Sequence, residues 1–237
     1  MDGQQRTSLA VSVVIPVHQD TAALQLLLTD LRPLPPDWEV VIVCSDADTD
    51  FAATGVDCHP GRCIQAPLGR GLQQRAGACA SYGRLLWFLH ADTRLPKAAI
   101  EAVRGVAGRW DSADDLLWGR FDVRLVPDFG LLSAVAKAMN WRSRWSGICT
   151  GDQGIFVSRS LLERTGGFPE QPLMEDIELS KQLKGWQSPL CLRVALDASS
   201  RRWRDQGVWK TIFAMWMLRL RYYLGASPDA LARAYYS

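Results

Sequence analysis

Leu85-Leu86-Trp87-Phe88-Leu89 is a run of bulky apolar residues that ends abruptly in His90-Ala91-Asp92-Thr93. So short and uniformly apolar a run leaves no face for solvent. It predicts a strand buried on both sides, the kind found in parallel sheets. Arg94 and Pro96 follow, and a helix is predicted from near Lys97. Exits of this kind line the ligand-binding edge of open α/β sheets, which places Asp92 where ligands are handled. A carboxylate there is suited to holding a divalent cation against phosphate oxygens, and on its own it reads equally as a cap of the next helix.

The same pattern recurs upstream. Residues 11–17, broken by Pro16, predict a first strand and its exit. Residues 21–31 carry Leu24, Leu27, Leu28 and Leu31 at helical spacing and stop at Pro33, Pro35 and Pro36. Residues 39–44 and 64–66 predict two more strands, and a small-residue helix opens at Gly69-Arg70-Gly71 and runs to Tyr82. Strands alternating with helices predict a mostly parallel sheet. The loops 16–20, 45–50, 67–71 and 90–94 then converge on one edge. Arg70 between two glycines at a helix start offers free N–H groups and a cation to an anion such as phosphate, or is a plain turn.

The second half predicts a strand over 116–126, a helix over 131–139, a short strand over 154–157, a helix over 173–183, a strand over 190–196 and an apolar helix over 208–224. On the 173–184 helix, Asp176 falls on the side of Leu173, Leu179, Ser180 and Leu183, with Glu178, Lys181 and Gln182 opposite. An inward acid near a helix start either caps the backbone or faces a polar pocket.

At 237 residues and 48% apolar the chain can bury one large core. A net charge of +2 argues against a nucleic-acid partner. The six cysteines lack framework spacing, as expected of reduced thiols in a cytosol; Cys58-His59 with Cys63 is an incomplete metal set, read as a loop. No signal-peptide core and no span of roughly 18 apolar residues occurs. The predicted location is cytoplasmic. The 208–224 helix mixes Trp209, Trp216, Tyr222 and Tyr223 with Lys210, Arg219 and Arg221. That mixture fits peripheral contact at the inner face of an anionic membrane, and equally a helix packed on the sheet or in a dimer.

Taken in order, Val13-Val14-Ile15-Pro16-Val17, the acidic loop after Cys44, Gly69-Arg70-Gly71, His90-Ala91-Asp92 and Met174-Glu175-Asp176 resemble the motifs of family 2 glycosyltransferases of the GT-A fold. Five segments resemble, more narrowly, a bacterial subgroup labelled arsenosugar-biosynthesis-type glycosyltransferases. They are residues 88–96, Gly119-Arg120-Phe121-Asp122-Val123, Thr150-Gly151-Asp152-Gln153, residues 172–180 and Ser200-Arg201-Arg202-Trp203. The resemblance extends over roughly 11–235.

It implies a single GT-A-like (Rossmann-like) α/β domain over 1–237: a mostly parallel central sheet flanked by helices, with a helical C-terminal extension. Residues 11–95 would form the nucleotide-sugar half, 96–205 the acceptor and catalytic half, and 206–237 the extension. The implied activity is metal-dependent, inverting transfer of a sugar from a nucleotide-diphosphate donor, most often UDP-linked, to a hydroxyl of a small-molecule or lipid-linked acceptor. Pro16 and Val17 would lie against the nucleoside, Ser45 and Asp46 near the base, and Arg70 near base or phosphate. His90, Ala91 and Asp92 match the metal element, with Asp92 the ligand of Mg²⁺ or Mn²⁺. Asp176 would be the catalytic base, and Glu175 would orient the acceptor or pair with a cation. Gly151, Asp152, Gln153, Arg202 and Trp203 would lie on the acceptor side.

Three positions depart from the family pattern. His90 replaces the first acid of the metal element, Ser45 stands near the base-reading acid, and Arg75 replaces an asparagine, either adding charge at the donor or lying solvated on its helix. His90 and Ser45 keep a catalytically degenerate nucleotide-sugar-binding protein open as a reading. A sugar-nucleotide nucleotidyltransferase is the other alternative, although 17–20 lacks the glycine-rich, lysine-containing loop it needs. A dehydrogenase is disfavoured by the same missing glycines.

Overall fold

The structure is a computed structural model describing residues 9–45, 62–109 and 116–236. Asp46, most of the acidic loop, Cys58 and His59 lie outside the described residues. Seven strands form one sheet in the order β3-β2-β1-β4-β6-β5-β7: β1 Val11–Val17, β2 Trp38–Ser45, β3 Arg62–Ala66, β4 Leu85–Phe88, β5 Trp118–Val126, β6 Phe156–Ser158 and β7 Leu190–Ser199. Strands β3, β2, β1 and β4 are mutually parallel, as are β5 and β7. Strand β6 runs antiparallel to both of its neighbours, β4 and β5.

The uniformly apolar strands divide their side chains between two cores. Val11, Val13 and Ile15 of β1, Trp38, Val40 and Ile42 of β2, and Leu85 and Trp87 of β4 pack with helices α1 (Thr21–Leu31) and α3 (Lys97–Ala107). The alternate residues Val14, Val41, Val43, Leu86 and Phe88 face α2 (Arg70–Ala80), α5 (Arg159–Arg164) and α6 (Glu175–Lys184). Helices thus cover both faces, which is why these strands carry no polar alternation. Gly77 permits the close approach of α2: a Cβ there would sit 2.4 Å from Val14 Cγ1.

A third layer closes one end. Helix α4 (Leu132–Ser146) packs on Val123, Leu125 and Ala198. Helix α7 (Arg201–Gln206) precedes α8 (Val208–Tyr223) and α9 (Pro228–Tyr236), whose Leu218 and Leu231 bury against Ile148, Met174 and Ile177.

Several boundaries differ from expectation. Helix α4 runs seven residues beyond the predicted end at Met139, because it stops where Gly147 adopts the left-handed conformation. Helix α6 begins at Glu175 and not Leu173, so the inward set is Glu175, Ile177, Leu179, Ser180 and Leu183, and Asp176 is half-buried. Helices α5, α7 and α9 were not predicted. The direction of β6 matters most for function. Its reversal brings the segment entering it, 151–155, to the same edge as the carboxyl ends of β1 and β4.

Candidate active site

The loop after β4 is pinned on two sides. Arg94 binds both oxygens of Asp30 on α1, at 2.6 and 2.9 Å, and exchanges backbone hydrogen bonds with Asp197 of β7. Asp92 and its neighbour Ala91 are half-buried at this edge. Burial pushes the Asp92 carboxyl above its ordinary value; His90 opposes this, and the carboxylates of Asp152 and Asp20 add to it. A carboxylate crowded by two others is a site that a cation would relieve.

Gly151–Gln153 forms a 3-10 turn against this loop. His90 Nδ1 lies 3.2 Å from Asp152 Oδ1, while His90 Nε2 is buried with no hydrogen-bond partner. Burial would raise Asp152, but its bond to His90 and the charges of His90, Arg70 and Arg219 outweigh that and hold it low, with 42% of its side chain exposed. Gly151 N–H donates to Asp176 Oδ2 at 2.8 Å, and Ile177 N–H donates to Asp176 Oδ1 at 2.7 Å. Both readings of Asp176 therefore hold at once: it caps its own helix and also lines a recess. That recess is walled by Gln74, Phe88, His90, Gly151, Ile155, Phe168, Glu175 and Asp176.

Glu175 is the more buried of the two acids, at 4% exposure. Burial raises its carboxyl foremost; the Arg70 charge opposes, and Asp176 adds to the rise. Arg70 Nε approaches Glu175 Oε1 at 3.5 Å, which makes Arg70 the cation expected beside Glu175. Met174, just before them, holds a left-handed backbone at φ 63, a strained conformation of the kind that gathers at functional sites.

The structure corrects four expectations. Gln153 is fully buried and spends its side chain on Thr150 N, Ser143 Oγ, Phe121 O and Asn140 Oδ1, so it supports the turn and offers no contact to a sugar. Trp203 packs on the Val123–Leu132 cluster. Arg202 lies over the Tyr235 ring at 4.2 Å, and it is Arg201, paired with Asp20 at 2.9 Å, that faces the Asp92 edge. Arg75, with 38% of its side chain exposed, clamps the 166–170 loop through Gly166 O, Phe168 O and Glu170, a role neither expectation gave it.

Pro16 and Val17 are buried at the end of β1, where the chain leaves the sheet into residues 18–20. Ser45 is buried, with His18 Nδ1 at 2.8 Å from its hydroxyl. Two glutamines were missed. Gln73 ties the ends of β1 and β2 through Val17 O and Val43 O, at 2.8 and 2.9 Å, and Gln74 lines the recess. Their signal was available, since both fall on the inward face of α2 with Gly77 and Ala78.

Among the described residues no three His, Cys, Asp or Glu side chains gather as a metal cage. The set does fit a cation carried in by phosphates. Ions of the Mg²⁺ type take one or two carboxylates and complete their shell with phosphate oxygens and water, and Asp92 supplies such a carboxylate.

No protein-family model matches the sequence, and no curated relative does either. Solved structures do match in fold. The mannosyltransferase PcManGT from Pyrobaculum calidifontis, in complex with GDP-Man and Mn2+, superposes with a TM-score of 0.66 at 17% identity, covering 92% of this chain and 66% of that one. S. aureus TarS 1–349 in complex with UDP-GlcNAc gives 0.62 at 18% identity, over 81% of this chain and 59% of TarS 1–349. The chain thus spans about three fifths of that fragment. The fold is the GT-A type: a mixed α/β domain with a mostly parallel seven-stranded sheet flanked by helices.

Proposed function

We propose that this chain is a glycosyltransferase, moving a sugar from a nucleotide-diphosphate donor to an acceptor hydroxyl with inversion. The observation that carries this reading is the assembly of Asp92, Asp152, Glu175 and Asp176 around His90 at one edge of a GT-A sheet, with Arg70 beside them. The neighbours' bound ligands, UDP-GlcNAc and GDP-Man with Mn2+, support the donor class. The ordered motifs favour family 2, its arsenosugar-biosynthesis-type subgroup and a UDP-linked donor.

Arg70, at the first turn of α2, would hold the diphosphate with the help of the helix N-terminus. Asp92 would hold Mg²⁺ or Mn²⁺, which supplies neutralisation of the charge that gathers on the departing diphosphate. The two bonds to Asp176 leave lone pairs of its carboxylate open to the recess. Asp176 would take the proton of the acceptor hydroxyl as that oxygen bonds to the anomeric carbon and the carbon–diphosphate bond breaks on the opposite face. Glu175, buried and raised, would stay on Arg70 and set its position.

Asp176→Asn tests this assignment. The variant should keep the thermal stabilisation given by a nucleotide sugar with Mn²⁺, and turnover should fall by about 10²–10⁴-fold. Undiminished turnover removes Asp176 as the base. Stabilisation by no nucleotide sugar, with or without metal, removes the transferase reading.

Among the described residues no helix is long and apolar enough to cross a membrane. Helix α8 presents Trp209, Phe213 and Trp216 to solvent, the first and last more than 70% exposed, and it carries Lys210, Arg219 and Arg221 with no acid. Helix α4 adds the stacked pair Trp141 and Trp145, also with no acid. Aromatics and cations on helices that carry no acid suit an anionic membrane surface, which would give the acceptor a route from the lipid.

A further inference from the structure

Several arginines of this fold are matched with carboxylates. Arg94 has Asp30, Arg124 has Asp197, Arg201 has Asp20, and Arg120 and Arg144 share Asp122. Among the described residues Arg142 and Arg219 pair with no carboxylate; Asp176 acts on Arg142, and Arg219 acts on Asp152. Arg142 lies on α4, one residue before the fully buried Ser143 that carries Gln153. Its Nε and Nη2 are closed off from solvent and have no hydrogen-bond partner. Arg219 follows Leu218, which is buried against Ile148 and Ile177 on either side of the Gly151–Asp176 contact. Buried Ser143 and Leu218 anchor the two helices near this contact, and the guanidiniums of Arg142 and Arg219 come within electrostatic reach of each other.

Their charges act on each other and on the site. Burial, and then the like charge of Arg219, push Arg142 down to about 10, while Asp176 opposes that fall. Arg219 also helps to hold Asp152 low. Among the described residues no ion pair joins Asp176 to Arg142, and the carboxylate is oriented by the backbone N–H groups of Gly151 and Ile177. Two neighbouring guanidiniums, one with buried unpaired N–H groups, are costly to maintain without an anion. Arg70 and Arg219 both act on Asp152, so the Arg142 and Arg219 pair would flank the proposed donor edge across the Gly151–Gln153 turn, with Arg70 and Asp92 on the other side.

We propose that Arg142 and Arg219 form a seat for a phosphoryl group carried by the acceptor, which sets the acceptor hydroxyl against Asp176. A phosphomonoester suits the pair better than a carboxylate does. Its two charges balance two guanidiniums, and its several oxygens accept fork-like N–H donation. The seat rests on the transferase reading, and the phosphate can belong to a soluble ester or to a lipid headgroup.

The test is a calorimetric titration of the full chain, with nucleoside diphosphate and Mn²⁺ held at saturation. The probes are glycerol 3-phosphate and vesicles of phosphatidate compared with phosphatidylglycerol. Either phosphomonoester should bind, and Arg142→Gln and Arg219→Gln should each weaken it at least tenfold. Arg104→Gln, on α3 and paired with Glu101, should change it less than twofold. Binding of the soluble ester assigns a soluble source, and binding only of phosphatidate vesicles assigns a lipid. The proposal is overturned if neither probe binds, if the probe displaces the nucleotide, or if folded Arg219→Gln binds as the parent does. Nucleotide-sugar binding recorded in the same samples separates the two failures. If it persists without a phosphate site, only the seat falls; if it too is absent, the transferase reading falls.

Discussion

Gly151→Ala probes the contact on which the site is built. An added Cβ would lie 2.2 Å from His90 Nε2 and 2.4 Å from Cε1, more than an ångström inside ordinary contact. Gly151 is outside the left-handed region, so alanine suffers no backbone strain there and any penalty comes from the collision. Two movements can relieve it. The imidazole can swing away and lose Asp152, or the turn can withdraw and take its N–H from Asp176. Overpacking of this kind costs about 2 kcal/mol, which lowers the Tm of a domain this size by roughly 4–8 °C. A displacement near 1 Å at the base should also cut turnover by roughly 10²-fold. Thermal unfolding followed by circular dichroism, run as a double-mutant cycle with His90→Ala, isolates the cause. With the imidazole gone, Gly151→Ala should cost less than about 0.5 kcal/mol, leaving a coupling of at least about 1.5 kcal/mol. Equal destabilisation in both backgrounds would refute the packing argument.

Two further outcomes follow from the same geometry. Burial raises the Asp92 carboxyl, so its ionised form costs stability above its folded pKa, and that cost fades as the pH falls through that pKa towards the ordinary value. Asp92→Asn should therefore raise Tm at pH 7, by an amount that shrinks on acidification, and it should abolish any added stabilisation by Mn²⁺ in the presence of nucleoside diphosphate; a fall in Tm at pH 7 would contradict it. Trp209→Ser with Trp216→Ser should reduce sedimentation with anionic vesicles at least tenfold and leave binding to neutral vesicles low, and unchanged sedimentation would remove the α8 face from membrane contact.

The N-terminal half was legible because each strand announces itself twice, by an unbroken apolar run and by the polar residues that end it. Val11–Val17 and Thr21–Leu31 match expectation residue for residue. The second half speaks more quietly. Strand β6 has only three residues, and nothing in Phe156–Ser158 encodes its direction, which is set by what it pairs with. Helices α5 and α7 have six residues each, too few for a helical period to stand out. At the site, Asp92, Asp176 and Glu175 were legible as acids in marked places. Their partners were not, since Gly151 N–H, Arg142 and Arg219 acquire meaning only when segments far apart in sequence meet. Gln153 and Trp203 misled for the converse reason: a motif lists which residues recur together and not whether they face a substrate or hold up those that do.

Because β6 enters the sheet between two strands that precede it, the ribosome releases β4 and β5 before the element that joins them exists. The Leu85–Phe88 border is left sticky and unmatched until Phe156–Ser158 emerge, so the nascent chain carries a half-sheet that needs shielding from its neighbours. A chain cut short before Ser158 keeps that border for good, and aggregation is its natural fate.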